Sequence, residues 1–274
     1  MVAISNGFGD MSEPIAATQP VDPFAAFRLD GRVCLITGAS SGLGERMARV
    51  YGAAGAKVVV AARRADRLTA LAEDLPDALA ISCDVGDDDA CRSLIASTIE
   101  HYGQIDVLVN NAGISDAVNP ARDADIDMFR RVVDINLNAC FLLAGLAAQH
   151  MLPRGRGSII NIASVHGIVA SAPNLQPAYA ASKAGLVNLS RDLGVQWAKE
   201  GVRVNALCPG YFETELTQVM FEDDSMTDWI NKNTPMRRGG TVNELDGAAL
   251  FLASDASSYV TGAVLAVDGG WTAR

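Results

Sequence analysis

The sequence predicts a doubly wound α/β fold, in which a seven-stranded parallel sheet carries helices on both faces. From Leu29 onward, short apolar and β-branched stretches alternate with longer helical stretches. This is the pattern of a parallel sheet with right-handed crossovers. Most short stretches are apolar almost throughout, which indicates strands covered on both faces. No internal repeat or linker interrupts the pattern, so we expect one domain over residues 29–274.

The predicted elements follow in regular order. The strands cover residues 32–37, 57–62, 78–83, 105–110, 157–163, 202–208 and 263–268. The helices cover residues 42–54, 64–74, 87–102, 125–151, 177–199 and 243–253. Residues 1–28 are rich in Ala, Pro, Gly and Asp and have no sustained period, which favours a flexible extension. Within it, "PFAAF" (23–27) offers apolar side chains that could dock onto the body.

Composition narrows the functional classes. The 274 residues carry a formal net charge of −10, which offers no electrostatic footprint for nucleic acid or an anionic membrane. The five cysteines form no CxxC pair and no metal-spaced cluster, so we expect reduced, buried thiols and no metal site. No uninterrupted apolar run is long enough to cross a bilayer, and the first residues lack a signal-peptide pattern. The expectation is a cytoplasmic protein.

One irregular stretch, residues 210–240, follows the sixth predicted strand. In open α/β sheets, ligands bind beyond the carboxyl ends of the strands, so this stretch is interpreted as a lid or substrate wall. The alternative is a pair of surface helices. An apolar or acyl-chain-sized substrate is favoured by the lid side chains Tyr211, Phe212, Met220, Phe221, Met226 and Trp229.

The segment "TGASSGLG" (37–44) connects the first strand to the first helix. Its GxxxGxG spacing differs from the GxGxxG of many dinucleotide sites, but the physical roles are the same. Gly38 permits a tight turn, Gly42 lets the backbone approach a pyrophosphate, and Gly44 lets the helix pack on the sheet. Free amides at the helix N-terminus then face the anion. The alternative is a tight turn without a ligand. The predicted cofactor contacts are Gly38, Ser40, Ser41, Gly42 and Leu43.

The end of the second strand indicates which dinucleotide binds. An acid there accepts from the ribose of NAD, whereas an arginine accommodates the 2′-phosphate of NADP. Ala62 stands at the acid's position and is followed by Arg63 and Arg64. Guanidinium groups pair bidentately with phosphate. NADP(H) is therefore favoured and NAD(H) is the alternative; without a ligand, the two arginines would only begin a solvated helix.

Two further strand ends supply predicted cofactor contacts. In "CDVGD" after the third strand, Asp84 can accept from the adenine amino group while Val85 lies against the ring. In "NNAG" after the fourth strand, Asn110 can tie strand ends together, and Ala112 and Gly113 leave room for the cofactor.

The segment "YAASK" places Tyr179 and Lys183 one turn apart on a predicted helix. Residues at this spacing share a helix face, so the two side chains can meet. A free phenol holds its proton at neutral pH, and a nearby ammonium stabilises the phenolate. The pair can therefore move a proton, although on spacing alone it is more simply a helix surface.

Six motifs occur in an order that resembles the short-chain dehydrogenase/reductase family, in its compact, single-domain, Rossmann-like branch. They are "TGASSGLG", "NNAG", Asn136 in "DINLNA", Ser164 in "NIASVHG", "YAASK" and "PGYFET". The resemblance runs from about Leu29 to Gly270 and includes 3-oxoacyl reductase-like members.

The resemblance implies four catalytic roles. Tyr179 would be the general acid–base, and Lys183 would support its phenolate and hold the nicotinamide ribose. Ser164 would donate to the substrate oxygen, and Asn136 would hold a water that relays protons to the lysine. In isolation, Ser164 is as well explained as a loop cap and Asn136 as a local backbone partner.

The segment between Ser164 and Tyr179 is slightly longer than is usual in the family, so Ser171 is an alternative to Ser164. His166 is interpreted as a pocket or loop residue. After the sixth strand, Pro209 and Gly210 would turn the chain at the nicotinamide end of the cofactor. By resemblance, the Phe212 backbone and the Thr214 hydroxyl would meet the carboxamide and a phosphate; Thr214 is alternatively a helix N-cap.

These expectations together predict an NADPH-dependent carbonyl reductase that interconverts a ketone and a secondary alcohol, with a 3-oxoacyl thioester as one candidate substrate. The alternatives are an NAD-dependent dehydrogenase of a sugar, polyol or steroid alcohol, and a non-catalytic nucleotide-binding regulator. The partner would be a small carbonyl or alcohol compound, not nucleic acid or a membrane. The resemblance also implies a homo-oligomer, a tetramer or dimer, paired through helices 125–151 and 177–199.

Overall fold

The computed structural model describes residues 22–171 and 173–273. Its seven strands form one sheet in the order β3-β2-β1-β4-β5-β6-β7, and every neighbouring pair is parallel. The strands are β1 Val33–Thr37, β2 Lys57–Ala62, β3 Ala78–Ser82, β4 Val107–Asn110, β5 Gly157–Ile162, β6 Val202–Pro209 and β7 Val264–Val267. The predicted fold class is confirmed.

Helices connect the strands on both faces of the sheet. They are α1 Gly42–Ala53, α2 Ala65–Glu73, α3 Asp88–Tyr102, α4 Ile126–Val133, α5 Ala139–Met151, α6 Pro177–Trp197, α7 Gln218–Glu222, α8 Asp224–Asn233 and α9 Asp246–Ala253. The helix expected over 125–151 is one continuous stretch, but a π-helical turn at Asp134–Asn138 separates α4 from α5. The last predicted helix begins with a 3-10 turn, Val242–Leu245, before α9.

The core has two layers because the strands are apolar on both faces. On one side, Ile36 and Val60 pack with Met47 and Tyr51 of α1 and Leu252 of α9. On the other side, the neighbouring strand residues pack against α3, α5 and α6 through Leu35, Val59, Leu94, Leu143 and Leu193. The sheet therefore packs between two layers of helices, and the candidate site lies at the carboxyl ends of its strands.

The stretch Ile126–Arg154 is long and apolar enough to cross a membrane by length and composition alone, with a mean hydropathy of 1.5 in its most apolar 18-residue window. Polar residues such as Asp134 and Asn136 interrupt it, so it contains no uninterrupted apolar run long enough to cross a bilayer. Half of the most apolar window is buried inside the protein, and Leu143 and Ala147 belong to the core beneath the sheet. Packing against the sheet therefore accounts for its apolar character.

The topological switch point lies between β1 and β4. From β1 the chain winds outward through β2 and β3 and then returns to β4 on the other side of β1. Ligands bind at such a point in doubly wound sheets. Here the Thr37 hydroxyl accepts from the backbone amides of Asn111 and Ala112, at 3.0 and 3.1 Å. The two strand ends are therefore joined directly beside the predicted glycine turn.

The segment 210–240 contains two short helices, α7 and α8, as the alternative interpretation predicts, and its role as a lid stays a prediction. Its first residues line the cleft described below, whereas α8 is anchored by Ile230, which is fully buried. At the other end of the chain, Phe24 is 75% exposed, whereas Ala25–Phe27 form a 3-10 turn that lies against Asp255–Ser257. The expected flexible extension falls mainly on residues 1–21, which lie outside the described residues.

The five cysteines are buried free thiols, as composition predicts. Within residues 22–171 and 173–273, no group of three His, Cys, Asp or Glu side chains is placed to hold a metal ion.

Candidate active site

A cleft of about 510 Å³ runs along the carboxyl edge of the sheet. Segments that follow six of the strands, β1 to β6, meet in it, together with the start of α6. The predicted residues that line it are Gly38, Ser40, Ser41, Gly42, Leu43, Arg63, Arg64, Asp84, Val85, Ala112, Gly113, Ser164, Tyr179, Lys183, Pro209, Gly210, Phe212 and Thr214. Asn110 and Asn136 are not among the lining residues.

The turn between β1 and α1 needs its glycines. Gly38 and Gly42 have φ values of +66° and +58°, a left-handed conformation that favours glycine. A Cβ atom on Gly44 would lie 2.4 Å from the Gly38 carbonyl oxygen, so the helix could not pack so closely with any other residue. Ser41, the N-cap residue of α1, makes no side-chain cap. The first amides of α1 are therefore free to bind an anion.

Asn110 and its neighbour Asn111 lie in different surroundings. The Asn110 side chain is buried and donates to Asn161 Oδ1 at 2.9 Å and to the Cys140 carbonyl at 3.2 Å. It ties β4 to β5 and α5 and does not reach the cleft. Asn111 lines the cleft instead, and its Nδ2 donates to the Thr37 carbonyl at 2.9 Å.

Arg64 lies at the end of the cleft beyond β2. Its guanidinium donates to the Ser40 and Ser41 hydroxyls, with Nη2 at 3.0 and 2.8 Å. It also binds both carboxylate oxygens of Glu215, at 2.8 and 2.9 Å. Arg63 is exposed and lines the same end of the cleft. The two arginines therefore stand beside the glycine turn, as an anion site requires.

Tyr179 and Lys183 meet on α6, as their spacing predicts. The Lys183 Nζ lies 5.6 Å from the centre of the Tyr179 ring and donates to the Ile162 carbonyl at 2.7 Å. Lys183 is only 4% exposed. The carbonyl at the end of β5 thus anchors the ammonium beside the Tyr179 ring in a largely buried position.

Ser164, just after β5, is buried and lines the cleft. Its Oγ accepts from the His166 amide at 3.1 Å, so it caps a short turn and lines the cleft at once. Because the oxygen accepts there, the hydroxyl proton is left to donate elsewhere. Ser171, the alternative, lies outside the cleft lining, and its Oγ accepts from the Gln176 amide at 3.4 Å.

Asn136 is fully buried in the π-helical turn. Its side chain exchanges two hydrogen bonds with the Ile114 backbone, at 2.8 and 2.9 Å, and donates to Ser182 Oγ at 3.1 Å. The local backbone role is therefore present. A Cβ atom on Gly113 would lie 3.1 Å from Asn136 Oδ1 and 3.5 Å from Lys183 Nζ, which places the amide close behind the lysine.

A second polar group lies beside Tyr179. The His166 ring is edge-on to the Tyr179 ring, with centroids 6.2 Å apart, and its Nε2 is 3.1 Å from the Tyr211 hydroxyl. Asn174 Nδ2 donates to the same hydroxyl at 3.3 Å. Burial lowers the pKa of His166 and raises the pKa of Tyr211 to about 12. His166 is therefore a neutral imidazole at neutral pH, and its buried Nδ1 has no partner among the described residues.

The lid side chains are used mainly for packing. Tyr211 and Trp229 stack with Trp271 from the end of the chain, with centroids 4.9 to 5.7 Å apart. Phe221 lies against Gly239. Of the six lid side chains that suggested an apolar substrate, Phe212 alone lines the described cleft. The basis for an acyl-chain substrate is therefore weaker in the structure than in the sequence.

A family model described as enoyl-(acyl carrier protein) reductase matches residues 38–272. The chain is 42% identical over 256 residues to a gluconate 5-dehydrogenase of Gluconobacter oxydans, covering 90% of this chain and 96% of that protein. The chain belongs to the short-chain dehydrogenase/reductase family. It is 40% identical to the L-tagatose-forming galactitol 2-dehydrogenase of Cereibacter sphaeroides, covering 92% of this chain and 99% of that protein.

Among solved structures, the chain resembles a gluconate 5-dehydrogenase from Burkholderia cenocepacia in complex with NADP and tartrate. The TM-score is 0.87 and the identity 39%, covering 92% of this chain and 100% of that chain. The expected family and Rossmann-like fold are thus confirmed, and the chain is an oxidoreductase of this short-chain family.

Three residues of this dehydrogenase/reductase site carry no clear sequence signal. Asp116, in the loop after β4, accepts from the amides of Ala178 and Tyr179. Glu215 joins Arg64 from the lid, and Asn111 replaces Asn110 at the cleft. The doublet "NN" was the one available indication for Asn111, because adjacent residues of a strand point to opposite faces.

Proposed function

We propose that the protein interconverts a ketone and a secondary alcohol with NADP(H), and that its substrate is a small polyhydroxylated compound such as a sugar acid or polyol. One observation carries the proposal. The Lys183 ammonium lies 5.6 Å from the Tyr179 ring in the same cleft as the Ser164 hydroxyl. This arrangement supplies an acid–base group, a charge that supports it and a donor to the substrate oxygen.

Each residue has a defined task in this proposal. In reduction, Tyr179 Oη gives its proton to the carbonyl oxygen; in oxidation, its phenolate takes the proton from the alcohol. Lys183 stabilises the phenolate, and Ser164 donates to the same substrate oxygen. Asn136 supports the loop and helix around the lysine and is proposed to hold a relay water. When bound, the nicotinamide supplies or accepts the hydride.

The chain's residues fit the nucleotide. The Gly38–Gly44 turn leaves space that side chains would fill, and the first amides of α1 can hold the pyrophosphate. Asp84 and Val85 would hold the adenine, Ala112 and Gly113 the ribose region, and the nicotinamide end would be held by Pro209, Gly210, Phe212 and Thr214. Arg63 and Arg64 support NADP(H) over NAD(H), as does the relative solved with NADP.

The named relatives are the main support for the substrate class. His166, Asn174 and Tyr211 place an imidazole, an amide and a hydroxyl next to the cleft, outside its lining residues. Hydroxyl-rich substrates are recognised by such groups, since a donor or acceptor left unpaired in the site opposes a substrate without hydroxyls. Two relatives named above act on gluconate and galactitol. The second candidate is a 3-oxoacyl thioester, favoured by the acyl carrier protein reductase description of the matching family model.

A substrate panel separates the two candidates. The purified protein would be given NADP⁺ with gluconate or galactitol, and NADPH with a 3-oxoacyl thioester, while nicotinamide absorbance is followed. Turnover of the hydroxylated compounds with little of the thioester is expected, and the reverse ranking would establish the second candidate. If no compound is turned over and neither nucleotide binds, a non-catalytic protein that uses the cleft differently becomes the better interpretation.

We also propose a cytoplasmic homo-oligomer, a tetramer or dimer, paired through α5 and α6. Phe141 on α5 and Val195 on α6 are 57% and 76% exposed, so each of these helices offers an apolar side chain to a second subunit. Light scattering on the purified protein would give the subunit number. A monomer at micromolar concentration would contradict the proposal.

A further inference from the structure

We infer that Glu215 is a specificity-determining residue: its carboxylate occupies the anion site at Arg64 and must leave when the 2′-phosphate of NADP(H) binds. The inference rests on the proposed cofactor site. Besides Arg63 and Arg64, which the sequence identified, the site then contains an anion from the lid of the same chain that competes with the 2′-phosphate.

The Glu215 carboxylate is held as a bound anion would be. Arg64 reaches its two oxygens through two separate nitrogens, Nη1 at 2.8 Å and Nη2 at 2.9 Å. Arg67, one turn further along α2, reaches the same carboxylate at 3.2 and 3.3 Å. Bidentate guanidinium pairing of this kind serves carboxylates and phosphates alike.

The guanidinium that holds Glu215 is itself oriented toward the cofactor turn. Arg64 Nη2 donates to both Ser40 Oγ and Ser41 Oγ, and these serines lie beside the glycines at the start of α1. Arg64, Ser40, Ser41 and Glu215 all line the cleft. The carboxylate therefore lies inside the nucleotide cleft, at its arginine end.

The negative charge of Glu215 determines whether it can remain on Arg64 when a nucleotide binds. Hydrogen bonds from Arg64 hold the pKa of Glu215 at about 2, so the carboxylate is ionised at every pH at which the protein is used. A phosphate monoester needs the same donors and repels the carboxylate. Binding of NADP(H) must therefore displace Glu215 from Arg64.

Binding of NAD(H) does not require Glu215 to leave Arg64. Its ribose carries hydroxyl groups at this place, and a carboxylate accepts hydrogen bonds from ribose hydroxyls. Glu215 can then remain on Arg64 and neutralise it. Glu215 thus disfavours NADP(H) and favours NAD(H). It therefore reduces the preference for NADP(H) that Arg63 and Arg64 alone would give.

Displacement also reaches the lid. Glu215 lies between Thr214 and Leu216, which both line the cleft, and Thr217 ties this turn to the Phe212 carbonyl at 2.5 Å. Residues 214–217 lead directly into α7. Release of the carboxylate by the 2′-phosphate would therefore remove the ion pair that joins this turn of the lid to Arg64.

The test compares nucleotide binding in Glu215→Gln with Glu213→Gln. Glu213 is an exposed acid two positions away, outside the cleft lining. Its variant therefore removes the same charge as Glu215→Gln at nearly the same place on the chain. NADPH and NADH would be titrated separately against each purified protein by calorimetry, which reads affinity without turnover. Glu215→Ala, which removes the acceptor oxygens as well, is the second variant.

We expect Glu215→Gln to tighten NADPH binding by about three- to tenfold, the size expected for losing a partly exposed ion pair and a like-charge contact. NADH binding should be unchanged or weaker, and Glu213→Gln should match the wild type for both nucleotides. Glu215→Ala should repeat the gain for NADPH.

An unchanged ratio of NADPH to NADH affinity in both Glu215 variants would overturn the inference while leaving the proposed function intact. A wild-type protein that binds neither nucleotide would instead overturn the proposed function, and this inference with it. Circular dichroism melting of each variant confirms that the folded protein is compared.

Discussion

Asp116 holds the backbone of Tyr179: its Oδ1 accepts from the Tyr179 amide at 3.0 Å. Its other oxygen accepts from the Ala178 amide at 3.1 Å, so a carboxylate from the loop after β4 caps the first turn of α6. The helix N-terminus favours a negative charge there. The catalytic helix is thereby tied to the strand end that lies beside the predicted nicotinamide site.

Replacing Asp116 by alanine is expected to lower kcat by about tenfold, since a cap of this kind contributes about 0.5–2 kcal/mol and here also sets the position of Tyr179. The KM for nucleotide should change little, because Asp116 lies outside the cleft lining. Asp116→Asn should recover part of the loss, since its amide oxygen still accepts. Asp123→Asn, on the same connection and exposed, is the control; an equal loss there would remove the positioning role.

Tyr179→Phe is expected to reduce turnover by roughly 10²- to 10⁴-fold, the range for loss of a general acid–base group. Nucleotide affinity should persist, because the ring and its packing remain. Rates at substrate saturation and NADPH titration measure the two effects separately. Tyr259→Phe removes a hydroxyl from a fully exposed tyrosine and should have no effect. A Tyr179→Phe protein with wild-type turnover would show that another group moves the proton.

Arg64→Ala is expected to weaken NADPH binding by about tenfold or more and NADH binding much less, because the lost guanidinium pairs with the 2′-phosphate. Arg63→Asp should act in the same direction, since a carboxylate facing the phosphate repels it. Arg130→Ala, on the exposed face of α4, provides the control. Equal weakening of both nucleotides in Arg64→Ala would mean that the residue supports the turn and does not select the cofactor.

His166 should make the protein acid-sensitive. Burial lowers its pKa in the folded protein, so the unfolded chain binds the proton first as pH falls. The contribution of the neutral imidazole is therefore fully present above about pH 6.5 and is lost as pH falls through and below that value. Urea unfolding at pH 7.5 and pH 5.5 should show a smaller loss of stability in His166→Asn than in the wild type. His101→Asn, at an exposed position, should retain the full wild-type pH dependence.

Much of the fold was readable from the sequence because each strand is a short apolar run with a clear end. The predicted and observed bounds of β2 agree, and β1 differs by one residue. The glycine turn, Arg64, Tyr179 and Lys183 were found because their chemistry depends on local spacing, which a linear sequence preserves.

The missed parts depend on long-range contacts. Glu215 meets Arg64 across 151 positions of the chain, and Asp116 meets Tyr179 across 63. The periodicity of residues along the sequence gives no indication of such distant pairs. Asn110 ties strand ends together as predicted, and the end of β4 was predicted at residue 110, where the structure has it. Its neighbour Asn111, which lines the cleft, was not predicted. The lid aromatics were misjudged because Trp271, which stacks with them, comes from the far end of the chain.

Two glycine-to-alanine changes should give opposite results. In Gly44→Ala, the new methyl group would lie 2.4 Å from the Gly38 carbonyl and 2.5 Å from Asn111 Nδ2. The turn must open, so we expect weaker binding of both nucleotides and a lower melting temperature. In Gly145→Ala, inside α5, no described atom outside the adjoining backbone of the helix lies within 4 Å of the added carbon, and the helix should gain about 0.5–1 kcal/mol. Thermal melting and NADPH titration of both variants measure the contrast. A Gly44→Ala protein that binds NADPH as tightly as the wild type would show that the close approach of α1 to the sheet is not needed for the cofactor site.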